Sequence, residues 1–366
     1  MKTKKGVVLT KGPIRLADIA KAAGVSQGTA SNVFSRPEIV REEVRERVLG
    51  IARDLGYKGP DVKGRLLRAG KFNAIGVASL EPLSYFFDDP WARAMMKAVS
   101  DVCDETGTGI ALVSARNQQK LAWNINSALV DGFILLCVKE GGRLVDLSRQ
   151  RQVPCVALAL ENAEDGFPII EIDNRKGAEA AARHLAELGH QNFAVLAITH
   201  HSAVPGTVKP EAVASAMSSS ARLRIEGYFD ALRDFDINPQ DVAIHATLND
   251  KKSVVNALEA LFSAPQPPTA LLAMSDRIAL YAIQWLTERG ISVPDDVSII
   301  GFDGVPEAAL STPALTTMQQ PFEDIAAKAV SAILNDEELA SSQILDVKLV
   351  LRNSTAPPRS FSVSLI

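Results

Sequence analysis

Arg15-Leu16-Ala17-Asp18-Ile19-Ala20-Lys21-Ala22-Ala23-Gly24-Val25-Ser26 is the stretch of this 366-residue chain from which the rest can be read. Leu16, Ile19 and Ala20 put apolar groups at i, i+3 and i+4, the spacing of one helical face, and Gly24-Val25 interrupts the run. Ser26 can open a second helix, because its hydroxyl can accept a hydrogen bond from an otherwise unpaired N–H of the first turn. Val25, Ala30 and Val33 would pack that helix on the first. A third is predicted from about Arg41 to Leu55, with Val44, Val48, Ile51, Ala52 and Leu55 on one face and Gly56 as its stop. Three short helices with small residues at a tight turn predict a helix-turn-helix DNA-binding head, whose second helix enters the major groove. An unrelated three-helix bundle has the same spacing.

Charge supports the DNA reading. Residues 1–71 hold 16 Lys and Arg against 7 Asp and Glu, whereas the whole chain holds 39 against 43, so the remainder is strongly acidic. Such a split suits a basic module that meets a polyanion and an acidic one that does not, with a solvated basic arm as the alternative. Composition excludes disorder: 47% of residues are apolar and 22% charged. No apolar run is longer than that of Phe133 to Val138, which is far below the roughly 18 residues of a membrane span. Lys2, Lys4 and Lys5 precede too short an apolar core for an export signal, which predicts a cytoplasmic protein without membrane association. Cys103, Cys137 and Cys155 cannot all pair, and buried free thiols are expected.

Further motifs fix the comparison. Val44-Arg45-Glu46-Arg47-Val48-Leu49, Leu55-Gly56-Tyr57 and Gly64-Arg65-Leu66-Leu67-Arg68-Ala69-Gly70-Lys71 follow the opening stretch. Together these segments resemble the head and hinge of the lactose-repressor (LacI/GalR) family of transcriptional regulators, and the likeness runs to the C-terminus. The resemblance implies a head over 1–58, a hinge over 59–71 and an effector-binding core over 72–366. It assigns base readout to Gln27, Gly28 and Asn32. Gln and Asn can each pair with adenine N6 and N7, while Gly28 offers no side chain. Thr29, Ser31 and Arg41 are expected on phosphates, which position without reading sequence. The basic, Gly-punctuated Lys63–Lys71 segment reads alone as a plain linker; the resemblance makes it a helix that forms on DNA, with Leu67 as a minor-groove wedge.

From Phe72 onward, strand-like runs alternate with amphipathic segments. Predicted strands are Ala74–Ser79, Gly109–Ser114, Phe133–Val138, Val153–Leu158, Ile169–Ile172, Phe193–Ile198, Val242–Ala246, Ala270–Met274 and Val297–Phe302. Continuous apolar strands joined by helices predict an α/β sensor with two doubly wound parallel-sheet lobes and a ligand between them, beyond the strands' C-terminal ends. The resemblance agrees, implying a periplasmic-binding-protein-like fold. Lobe one is expected over about 72–190 and 321–338, and lobe two over 191–320 and 339–366.

Candidate effector residues lie at strand ends. Asp173, Asp276 and Asp303 follow predicted strands, and Arg224 precedes Gly227-Tyr228. Each alone reads equally as a helix cap or a solvated charge. The family's Asp-Asn, Arg-x-x-Gly, Asn-Asp and Gly-Phe-Asp motifs match Asp173-Asn174, Arg224 to Gly227, Ser275-Asp276 and Gly301-Phe302-Asp303, with Ser275 replacing Asn. Carboxylates accept from vicinal hydroxyls and Arg donates to oxygens, so the set suits a sugar, with a purine as the alternative. Tyr85, Phe86 or Phe87 would stack on the effector or else fill the lobe's core; Asp89 and Pro90 would start the next helix. The His200–Ser220 stretch reads either as a flap over the cleft or as a disordered insertion.

The expected protein is thus a homodimeric repressor of carbohydrate genes, since a palindromic operator needs a two-fold partner. Two other classes share parts of this pattern. Gly107-Thr108-Gly109 lacks a third glycine and opens no helix, and no phosphate loop, nucleophile elbow or metal-ligand spacing occurs, so neither an enzyme nor a cofactor is expected. A transport solute-binding protein would have the sensor fold without the basic head.

Overall fold

The computed structural model describes residues 14–59, 70–138, 142–160, 167–199, 204–213, 218–335 and 342–359. The chain divides into two units, 1–72 and 73–366.

In the first unit α1 (Leu16–Ala23), α2 (Gln27–Ser35) and α3 (Glu42–Asp54) enclose a small core of Ile19, Ala20, Ala23, Ala30, Val33, Val48 and Ala52. The turn forms as the sequence predicts. Gly24 takes the left-handed conformation, φ +66°, that ends α1, and Thr29 N–H donates to Ser26 Oγ at 3.0 Å to start α2. A 3-10 turn at Pro37–Ile39 joins α2 to α3, and Phe34 packs edge-on against Tyr57. The hinge proposed for 59–71, including Gly64 and Leu67, falls almost wholly outside the described residues.

In the second unit the strands are β1 (Ala74–Ser79), β2 (Gly109–Ser114), β3 (Gly132–Val138), β4 (Cys155–Leu160), β5 (Ile169–Ile172), β6 (Phe193–Ile198), β7 (Gly206–Val208), β8 (Ala243–Thr247), β9 (Ala270–Ala273), β10 (Ser298–Asp303), β11 (Thr316–Gln319), β12 (Ser342–Leu345) and β13 (Lys348–Val350). The helices between them are α4 (Tyr85–Asp88), α5 (Pro90–Thr106), α6 (Leu121–Ser127), α7 (Gly142–Gln150), α8 (Asn174–Glu187), α9 (Ser219–Arg233), α10 (Lys251–Phe262), α11 (Asp276–Glu288), α12 (Pro306–Leu310) and α13 (Phe322–Leu334). One sheet has the order β12-β5-β4-β3-β1-β2, all parallel; the other is β13-β11-β10-β9-β6-β8-β7, parallel except at its two edges. Each central strand is covered on both faces, which is why Ile134, Leu135 and Leu136 are all buried.

Several boundaries differ from the sequence reading. Pro154 has no N–H to give a ladder, and β4 starts after it, at Cys155. α8 packs in the second lobe, where Ala178, Ala182 and Leu185 meet Ile225, Tyr228 and Leu232 of α9. β12 pairs with β5 in the first lobe. The chain therefore passes to the second lobe after Ile172, returns to the first before α13 and leaves it again after Leu345, so the crossings expected near residues 190 and 338 lie elsewhere. α8 and α9 approach so closely that a Cβ at Gly227 would strike the Arg175 carbonyl. Cys103 is buried, whereas Cys155 is only partly so, against expectation; Cys137 lies in β3.

Candidate functional site

Two surfaces bear on function, one in each unit. On α2, Gln27 and Gly28 are exposed, and Asn32 stands one helical turn beyond Gly28 and is partly exposed. Thr29 Oγ1 shares a hydrogen bond with Ser26 Oγ at 2.9 Å, and the partly exposed Ser31 adjoins Asn32. Arg41 is exposed at the start of α3.

In the sensor a cavity of about 400 Å³ lies between the two sheets, at the C-terminal ends of their strands. Arg224, on the first turns of α9, is held there by three contacts. Its Nε donates to Asn174 Oδ1 at 2.8 Å, its Nη1 donates to the Met274 carbonyl, and its guanidinium lies 3.7 Å over the Phe302 ring. Burial disfavours its charge, and the nearby Asp303 carboxylate acts in the opposite sense. Asp303 ends β10 with φ +136°, an unusual backbone for a residue with a side chain. Gln320 fixes it twice: its N–H donates to the Asp303 carbonyl at 2.9 Å and its Nε2 to Asp303 Oδ1 at 2.8 Å. Burial, reinforced by the charge of Asp276, raises the Asp303 carboxyl well above its ordinary range.

Ser275 and Tyr85 also line the cavity. Ser275 Oγ caps α11 by accepting from Ile278 N–H at 3.1 Å and donates to Asn249 Oδ1 at 2.8 Å. The remaining candidates sit elsewhere. Asp173 caps α8, accepting from Lys176 N–H at 2.9 Å, and does not line the cavity; its neighbour Asn174 does. Phe86 is core, and Phe87 is 65% exposed outside the cavity. Asp276 is fully buried beneath the site and accepts from Gly304 N–H (2.7 Å), Val305 N–H (2.9 Å) and Thr317 Oγ1 (2.5 Å). It holds the loop after β10 rather than facing the cavity.

Burial drives the Asp276 carboxyl up to about 6 from 3.8, against the pull of those donors. A carboxyl raised on folding stabilises most below its unfolded value, and that contribution is lost as pH rises through about 6. Wild-type stability relative to Asp276→Asn should therefore fall between pH 4 and pH 7, as followed by urea denaturation. A relative stability that climbs over that range would contradict the assignment.

Sequence reasoning missed the groups that join the lobes. Asp89 caps α5 through Oδ1, which accepts from Trp91 N–H and Ala92 N–H at 3.0 and 3.1 Å. Its Oδ2 accepts from Arg277 Nη1 at 3.1 Å and Asn249 Nδ2 at 3.2 Å, both from the other lobe. Trp91 Nε1 donates to Gln320 Oε1 at 3.0 Å, and Arg93 pairs with Glu307. Asp89 was legible as a cap, but its second oxygen's partners lie about 160 and 190 residues away and left no local signal. His200–Ser220 reads differently too: its described part forms edge strand β7, buries Val213, and brings Ser218, Ser219 and Ser220 to the cavity.

Comparison with known proteins bears on this arrangement. Residues 15–59 match the model for bacterial regulatory proteins of the lacI family, and residues 182–355 match a periplasmic binding protein-like domain. An HTH-type transcriptional regulator of Mycobacterium tuberculosis is 33% identical over 350 residues, 94% of this chain and 97% of that protein. This chain belongs to the lacI family. Among solved structures, a LacI-family regulator from Corynebacterium glutamicum is 29% identical with TM-score 0.68, covering 95% of this chain and 99% of that one. The lac repressor dimer bound to operator and the anti-inducer ONPF is 25% identical with TM-score 0.72, over 94% and 100%. As a lacI-family protein it is a DNA-binding transcriptional regulator, and its two parallel-sheet lobes are those of the lac repressor fold. No helix among the described residues is long and apolar enough to cross a membrane.

Proposed function

We propose that this regulator is a cytoplasmic, ligand-responsive repressor of carbohydrate catabolism or transport genes, bound as a homodimer to a palindromic operator. The observation that carries the reading is the interlobe cavity. It takes its polar groups from both lobes, so a ligand there changes the energy of one lobe arrangement relative to another. Arg224, Asp303, Ser275 and Tyr85, joined by Asn174, form the effector set; donors and acceptors so mixed suit a sugar. A dimer follows from the two-fold symmetry a palindromic operator demands, and the lac repressor relative is a dimer on its operator. Leu67 is the proposed minor-groove wedge, Gln27, Gly28 and Asn32 the base readers, and Thr29, Ser31 and Arg41 the backbone contacts.

This division of labour is testable by binding to randomised duplexes. Asn32→Ala should change the preferred sequence. Arg41→Ala should weaken binding to all sequences alike and reduce the salt slope by about 1. If Asn32→Ala leaves the preference unaltered and weakens all sequences equally, α2 does not read bases as placed here.

A further inference from the structure

Resting on the effector reading above, we infer that the cavity selects an uncharged or cationic polyhydroxy ligand over an anionic one, and that Glu171 is the residue that enforces the choice. Glu171 is the penultimate residue of β5 and lines the cavity from the first lobe, as Arg224 does from the second. Among the described residues its carboxylate has no hydrogen-bond or ion-pair partner, although it is only partly exposed. Burial raises its carboxyl above the ordinary range, as a half-desolvated acid without a compensating donor should behave.

The two arginines that line the cavity are already engaged. Arg277 is paired with Asp89 at 3.1 Å. Arg224 spends Nε on Asn174 and Nη1 on Met274, and its guanidinium lies over the Phe302 ring. At the first lobe's side of the cavity the charge without a partner among the described residues, that of Glu171, is negative. A phosphate or carboxylate placed beside Glu171 would meet a like charge, and like charges in a partly desolvated site repel strongly. Hydroxyl groups donate to Glu171 without that cost, and an ammonium group pairs with it. Arg224 keeps donor capacity for a ligand oxygen while Glu171 and the second oxygen of Asp303 accept, which fits a ligand carrying several hydroxyls.

The test uses the full chain and three matched sets of probes: glucose, galactose and ribose; glucosamine and galactosamine; and glucose 6-phosphate, galactose 1-phosphate and ribose 5-phosphate. Thermal shift finds the binders and calorimetry measures them, with operator binding followed on the same preparation. A neutral or amino sugar should bind at least 100-fold more tightly than its phosphate. Glu171→Gln should shrink that ratio at least tenfold, and Glu171→Ser provides a second variant if the first folds poorly. A phosphate that matches or outbinds its parent, or a ratio unchanged in both folded variants, overturns the proposal and leaves the sugar-responsive repressor standing. If no probe binds, the assignment of ligand class is overturned together with the sugar reading, and operator binding alone then reports whether the regulator reading survives.

Discussion

Asp276→Ala is expected to lower the stability of the sensor by roughly 3 kcal/mol or more, because three buried donors lose their acceptor at once and each such loss costs about 1–3 kcal/mol. Those donors are the Gly304 and Val305 N–H groups and the Thr317 hydroxyl, and the side chain they surround is wholly inaccessible. The strained Asp303 backbone and Gly304 lie in the loop that Asp276 secures, so the damage reaches the cavity through the fold. Scanning calorimetry should show the sensor transition lowered by about 10 °C, at roughly 2–4 °C per kcal/mol for a domain of this size. A transition unchanged in temperature, with effector binding lost, would make Asp276 a ligand contact after all.

Arg224→Ala is expected to separate the two activities of the molecule. The Arg224 side chain is the central donor of the cavity, and charged hydrogen bonds of this kind are worth roughly 1.5–3 kcal/mol each, so effector affinity should fall by about 100-fold or more. The operator should still be bound within about threefold of wild type, because the contacts that hold Arg224 are with Asn174, Met274 and Phe302 of the sensor. Asp303→Ala should behave similarly. Since Arg224 also braces Asn174 and stacks on Phe302, Arg224→Lys is the companion variant: it keeps the charge and loses the planar fork. Calorimetry for the effector and fluorescence anisotropy for the operator provide the two readouts. Parallel loss of both in folded Arg224→Lys would show that Arg224 serves the fold alone.

Much of this architecture was legible because local rules and tertiary structure agree. The apolar period around Leu16 to Ala20, the left-handed stop at Gly24 and the Ser26 cap act within a dozen residues, and the head forms from them. Buried parallel strands such as Phe193–Ile198 announce themselves as unbroken apolar runs. Strands with another chemistry were silent. Thr316 and Thr317 are fully buried in β11, but their hydroxyls are satisfied by Thr355, Asp276 and Arg352 N–H, so a polar stretch is interior. β12 and β13 are short edge strands whose sheets are chosen by partners about 170 and about 30 residues away.

The same distinction explains the site. Strand-end acids are a sound signal for a cleft, yet whether such an acid faces the ligand or turns back into the loop depends on neighbours from other strands. Asp303 turns to the cavity because Gln320 holds it there; Asp276 turns away because Gly304, Val305 and Thr317 claim it. Asp173 is taken by the first turn of its own helix, and Asn174 beside it is carried into the cavity instead. The aromatic stretch divides likewise, with Tyr85 at the cavity, Phe86 in the core and Phe87 outside.

The most direct test of the central claim is to incubate the purified protein with sheared genomic DNA at moderate salt, recover the bound fragments and sequence them. An effector-controlled repressor predicts a shared palindrome among the recovered fragments, placed beside genes of carbohydrate uptake or breakdown. Fragments enriched without any common two-fold sequence, across a range of salt concentrations, would contradict it.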